Sequence, residues 1–158
     1  MRRLAVVALL AVAAVAAVAA VSAGGAPAAA SCKATPNDGF GPFGNGLPPM
    51  RAKTGTGHVL TGVVLSAFDC KPIRGAQVQF WQSNAKGAYT RKLSATVLTR
   101  RDGSFRYESP KPVSYEGFPP HIHVRVIAKG YETLLSRVVP AKGARRTSVK
   151  FVLIPEAL

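Results

Sequence analysis

From His58 onward the chain is cut into short apolar-rich runs by Gly, Pro and Asp-Gly punctuation, and none of these runs carries a helical period. A chain patterned this way buries itself by stacking short strands. Val59–Leu65 is the first run, followed by a turn region, Phe68–Gly75, that holds Cys70 and Pro72. Ala76-Gln77-Val78-Gln79-Phe80-Trp81 alternates cleanly, which puts Ala76, Val78 and Phe80 on one face. Ser94–Thr99 comes next, then a turn at Arg101-Asp102-Gly103, a run at Ser104–Tyr107, and a proline-bounded loop, Lys111–Pro120. His121–Ala128, Thr133–Val139 and Ser148–Leu153 complete the set. Seven short strands at near-regular spacing, with no amphipathic helix of useful length, predict an all-β sandwich. There is no internal repeat and no second domain.

The residues before His58 follow no such pattern. Ser31 to about Gly57 is dense in Gly and Pro, and reads as an irregular arm. Met1–Ala30 reads as an export signal, with basic Arg2-Arg3, an apolar run from Leu4 to Val21, and small Ala28-Ala29-Ala30 before Ser31. The domain then spans 31–158, and the mature protein is expected outside the cytoplasm, secreted, periplasmic or in the cell envelope. The apolar run is also long enough to span a membrane, so an uncleaved anchor is the second reading. Lipid attachment at Cys32 is a third. Ala29 fits it poorly, and it would leave Cys70 unpaired.

Export bears on the two cysteines, Cys32 and Cys70, because an oxidising compartment favours pairing them. Such a bridge stabilises by roughly 3–4 kcal/mol through loop closure and ties the arm to the first hairpin. The formal net charge of +14 first suggests nucleic acid. Export argues against that partner, and the basic residues (Arg91-Lys92, Arg100-Arg101, Arg145-Arg146) are dispersed without aromatic interleaving. A surface facing an anionic cell envelope or aromatic acids fits better, and a merely solvated surface fits equally well.

Two of the three histidines, His121 and His123, stand one strand repeat apart, so they share a face while Ile122, Val124 and Val126 point to the core. Paired imidazoles on a strand can present two nitrogens to one metal; two solvated polar residues would look the same. Tyr89, just past a strand and Gly87, and Tyr115, in the proline-bounded loop, add two phenols. Phenolate oxygen suits Fe(III), a hard ion whose charge would deprotonate a phenol of ordinary pKa near 10. Turn tyrosines also commonly cover a core edge. Trp81, Tyr107 and Tyr131 are expected to pack, and His58 to be solvated at a strand start.

In order along the chain stand Cys32-Lys33-Ala34-Thr35-Pro36, Gly41-Pro42-Phe43, Gly62-Val63-Val64, Cys70-Lys71-Pro72-Ile73-Arg74-Gly75-Ala76 and Val78. Trp81, Gly87-Ala88-Tyr89, Asp102-Gly103-Ser104-Phe105, Pro112, Tyr115 and Pro120-His121-Ile122-His123 follow. In this ordered set, across nearly all of residues 32–139, the chain resembles the intradiol ring-cleavage dioxygenases, the catechol and protocatechuate dioxygenase family, and especially their short secreted members. The resemblance implies a non-haem Fe(III) held by Tyr89, Tyr115, His121 and His123, with Tyr115 leaving when substrate binds and Tyr89 staying. It also implies a small aromatic diol and O2 as substrates, with cleavage between the two hydroxylated carbons to a muconate-type diacid.

Two positions depart from the family's pattern. Phe118 stands three residues before the first histidine, where an arginine over the substrate ring is expected. Arg137 aligns with a glutamine, and the hypothesis is that it supplies the missing cation, giving it a catalytic role beside Tyr115. The Tyr115–His121 connection is also short, and the helical dimerisation segment of catechol dioxygenases is absent. A rival class is a non-catalytic binding module of the transthyretin or carboxypeptidase-regulatory kind, which shares the strand and turn chemistry but has no reason to assemble Tyr89, Tyr115, His121 and His123. A basic cell-surface adhesin on the same scaffold is a third reading.

Overall fold

The computed structural model describes residues 32–43 and 46–157, so the export signal at 1–30 lies outside the described residues. Seven strands carry the fold: β1 (Gly57–Ser66), β2 (Gln77–Ser83), β3 (Tyr89–Leu98), β4 (Ser104–Pro110), β5 (Ile122–Ile127), β6 (Leu134–Val138) and β7 (Arg146–Leu153). Among the described residues there is no helix. The strands form two sheets, β4-β1-β7 and β3-β2-β5-β6. All pairings are antiparallel except that of β1 with β7. The expected all-β sandwich is what the chain builds.

The core lies between the sheets and follows from the period-two alternation. Leu60, Val64, Phe105, Tyr107, Phe151 and Leu153 face inward from the first sheet. Val78, Phe80, Ala95, Ile122, Val124, Val126, Leu134 and Val138 meet them from the second. Phe80 stacks on Tyr107 with ring centroids 4.3 Å apart, an aromatic contact joining the two layers. Gly62 admits no side chain: a Cβ there would lie 2.5 Å from the Val149 carbonyl and 2.6 Å from the Phe105 ring. Tyr107 packs as expected, and Tyr131 packs against the core from its edge.

Two expectations need correction. β3 begins at Tyr89, five residues before the expected Ser94, so Tyr89 is a strand residue rather than a turn residue. Its first half, Thr90-Arg91-Lys92, is exposed on an edge strand and so lacks the apolar alternation that marks a strand in sequence. His58 is not solvated. It is 1% exposed, and its Nε2 lies 2.9 Å from Thr147 Oγ1, because the parallel β1–β7 pairing brings the start of β7 alongside it.

The second sheet is buried on its outer face as well, and the arm is the reason. In β2 the residues opposite the core, Gln79, Trp81 and Ser83, are buried too. The arm starts beside β1 and β7, where Cys32 is disulfide-bonded to Cys70 and Thr35 donates to Val152 O. It reaches the β6 edge, where Asp38 N donates to Leu135 O. Phe43 then packs edge-on to Trp81 at 5.3 Å. Beyond that, Pro48, Pro49 and Arg51 bond Thr96 on the opposite edge strand, β3. The arm is thus irregular, as expected, and works as a belt across one sheet.

Candidate metal centre

Under that belt, four side chains converge. His123 lies on the outer face of β5, in register with Trp81 of β2 and Arg137 of β6. His121 stands one residue before the strand, and its Nε2 lies 3.1 Å from His123 Nε2. Tyr89 Oη and Tyr115 Oη are hydrogen-bonded to each other and lie 3.4 Å and 3.3 Å from His121 Nε2. All four sequence-derived residues are therefore in one place.

Local turn chemistry sets the two phenols. Asn84 Oδ1 accepts from Lys86 N and Ala88 N, which closes the β2–β3 hairpin and delivers Tyr89 at the head of β3. In the β4–β5 loop, Glu116 (φ 47°) and Gly117 (φ 80°) make consecutive left-handed residues, and Phe118 N donates to Tyr115 O. That is a type I′ turn, and it folds Tyr115 back over the histidines.

The hydrogen bonds fix which atoms are free. His121 Nδ1 lies 2.7 Å from Pro119 O. A carbonyl can only accept, so Nδ1 carries a proton, and in the neutral ring the Nε2 lone pair faces the other three donors. His123 Nδ1 is buried and has no partner among the described residues. Burial, followed by the neighbouring His121 and Arg137, pushes the His123 pKa down to about 4 and keeps it neutral. Burial, followed by the Tyr115 hydrogen bond, raises the Tyr89 phenol well above its ordinary value, with Arg137 opposing.

Two imidazoles and two phenols thus surround one point. Donor separations of 3.1–3.4 Å match ligands about 2 Å from a shared cation. A bound cation would reverse the Tyr89 shift and make the phenolate the stable form. Among the described residues no three of His, Cys, Asp and Glu gather in this way, so the phenols are what complete the donor set.

The donors open into a cleft of about 580 Å³, also lined by Phe40, Gly41, Pro42, Phe118 and Arg137. Phe118 lies at the rim, 47% exposed, beside Tyr115 and His121. The Arg137 guanidinium bonds Asp38 through Nε. Gly41 touches the site so closely that a Cβ there would fall 2.7 Å from His123 Nδ1. The sequence alone does not mark Asp38, Phe40 and Gly41 as site residues. The Gly41-Pro42-Phe43 motif was the available signal, and only the fold shows that it lies against β5. Trp81 packs under the site, with the Arg125 guanidinium 5.1 Å over its ring.

No family model matches the chain. It is 29% identical over 99 residues to a catechol 1,2-dioxygenase of Candida albicans, covering 46% of this chain and 33% of that protein. Over 119 residues it is 29% identical to a chlorocatechol 1,2-dioxygenase of Rhodococcus opacus, covering 57% and 46%. Among solved structures, an intradiol ring-cleavage dioxygenase from Tetranychus urticae superposes with a TM-score of 0.62 at 26% identity, covering 68% of this chain and 65% of that one. By sequence and by fold the chain is similar to intradiol ring-cleavage dioxygenases. It spans less than half the length of the curated relatives it matches.

Proposed function

We propose that this protein is an exported, iron-dependent intradiol dioxygenase that cleaves a catechol-type ring between its two hydroxylated carbons with O2. The observation that carries the reading is the convergence of Tyr89, Tyr115, His121 and His123 at the head of an apolar cleft. The relatives named above support the reaction class. Non-haem Fe(III), when bound by these four residues, would supply the redox coupling between the diol and oxygen.

The chain's own residues divide the remaining work. Tyr89 is held by β2–β3 pairing, and His123 by β5 pairing. Tyr115 sits on a loop and is the donor free to yield. Were a bound cation to make Tyr115 a phenolate, its Oη would be free, on leaving, to take a proton from an arriving diol. Phe40 and Phe118 give the open cleft apolar surface on which a ring can pack. Arg137, opposite His123 in register, brings a guanidinium to the cleft and stands in for the arginine missing at 118. The Cys32–Cys70 disulfide supports export, since such bonds persist in oxidising compartments.

Reconstitution with ferric iron tests the reading. The loaded protein should be red-brown through a tyrosinate charge-transfer band, and Tyr89→Phe should lose that band. Oxygen uptake on a panel of catechols should be steep in the parent and fall at least tenfold in Arg137→Ala, with iron retained. A colourless protein without stoichiometric iron would instead favour the non-catalytic sandwich module. Full activity in Arg137→Ala would remove Arg137 from the chemistry.

A further inference from the structure

The loop that carries Tyr115 lines two hollows. Tyr115 and Phe118 belong to the cleft, while Lys111, Pro112, Ser114, Pro119 and Pro120 line a second hollow of about 510 Å³, completed by residues 139–144. A third, of about 480 Å³, adjoins it, sharing Lys111 and Gly143 and lined also by His58, Arg145 and Arg146. The first sheet brings these residues together. Gly57 at the head of β1 pairs with Pro110 at the end of β4, and Val59 pairs with Arg146 at the head of β7. Lys111 therefore leaves the sheet on one side of β1, and Arg145-Arg146 enters it on the other. Gly57 takes φ 123°, and a Cβ there would lie 3.1 Å from Lys111 N, so a glycine lets the chain come this close. Between β6 and β7, Ala144 N donates to Ala141 O and Gly143 takes φ 79°, making a tight turn that carries exposed Lys142.

We propose that this double groove binds an acidic polysaccharide, a chain of uronate sugars, whatever the four donors hold. Lys111, Lys142, Arg145 and Arg146 are exposed, none is ion-paired among the described residues, and no Asp or Glu lines either hollow. Four cations spread over two joined hollows match repeated anions, whereas a single uronate meets only one or two of them at a time. Pro112, Pro119, Pro120 and Pro140 offer rigid, uncharged rings to the CH faces of the sugars, and Ser114 adds a hydroxyl. A lipid surface fits less well, because no Phe, Trp, Leu or Ile lines the groove to enter the acyl region. A nucleic acid finds no exposed aromatic face on which to stack a base. An acidic peptide would add along a strand edge, and this groove lies across strand ends.

Calorimetric titration of the protein with oligogalacturonate at low salt tests the assignment. The oligomer should bind at least about tenfold more tightly than its methyl-esterified form, which keeps the sugars and loses the charge, and about a hundredfold more tightly than monomeric galacturonate. Arg145→Gln with Arg146→Gln should weaken binding about tenfold. Arg100→Gln with Arg101→Gln removes the same charge from the β3–β4 turn, toward the far end of β1, and should change it by less than about twofold. Ala141→Asp, which sets a carboxylate on the exposed turn, should weaken binding about fivefold and keeps the test valid if the paired change disturbs β7. Equal weakening by the two arginine pairs would mean that the oligomer follows net charge alone, and overturns the proposal. Equal affinity for the methyl-esterified oligomer overturns it too. Phosphatidylglycerol vesicles held through Arg145 and Arg146, with no binding of the oligomer, would give the groove to a lipid surface instead.

Discussion

His58 shows how a single buried imidazole shapes pH dependence far from the cleft. Burial lowers its pKa from the ordinary 6.5, so the folded chain holds it neutral while the unfolded chain protonates it. The unfolded state then binds more protons as pH drops below about 6.5, and stability falls with it; above that pH the contribution is fully present. In iron-free protein, His58→Gln should give a shallower slope of unfolding free energy against pH between about 7 and 5, measured by urea titration. His123, lowered to about 4, adds a slope of the same sign that remains in the variant. Identical slopes would show that His58 is not the titrating group. The sequence could not reveal this residue's environment, because its burial depends on Thr147, 89 positions away.

At the scale of elements, the belt is the feature with most consequence. The disulfide anchors its start with a sequence separation of 38, and closing such a loop is worth roughly 3–4 kcal/mol. Cys32→Ser with Cys70→Ser should lower the melting temperature. It should also weaken catechol binding, because Phe40, Gly41 and Pro42 form one wall of the cleft, while iron stays bound by residues on β3, β5 and the β4–β5 loop. Unchanged ligand affinity after a clear drop in melting temperature would mean that the arm is a staple and not a wall. The seven strands are legible from short apolar runs between turn residues, with clean alternation in Ala76–Trp81, and β3 departs only where Thr90-Arg91-Lys92 carries no such signal. The four donors were legible from ordered motifs. Asp38 is not, since a Gly- and Pro-rich arm has no period from which to deduce a partner 99 residues distant.

Across the whole molecule, charge is distributed in two unlike ways. Three of the acidic residues are taken up in ion pairs on the strands, the turns and the arm: Glu108 with Lys53 and Arg106, Asp69 with Lys71, and Asp38 with Arg137. Lys111, Lys142, Arg145 and Arg146, by contrast, are exposed with no carboxylate partner among the described residues. The surface should therefore hold to an anionic polymer at low ionic strength and release as salt screens it over a Debye length of about 10 Å at 0.1 M. Elution from a polyacidic matrix against a salt gradient would measure this, and passage without retention at low salt would sink it. The parallel pairing of β1 with β7 carries a different message, about time. The first strand finds one of its two sheet partners only in the last strand, so the sandwich cannot close until almost the whole chain is present. Folding is then governed by its most distant contact rather than by its hairpins. During synthesis the β4-β1-β7 sheet therefore stays incomplete until the last strand has emerged.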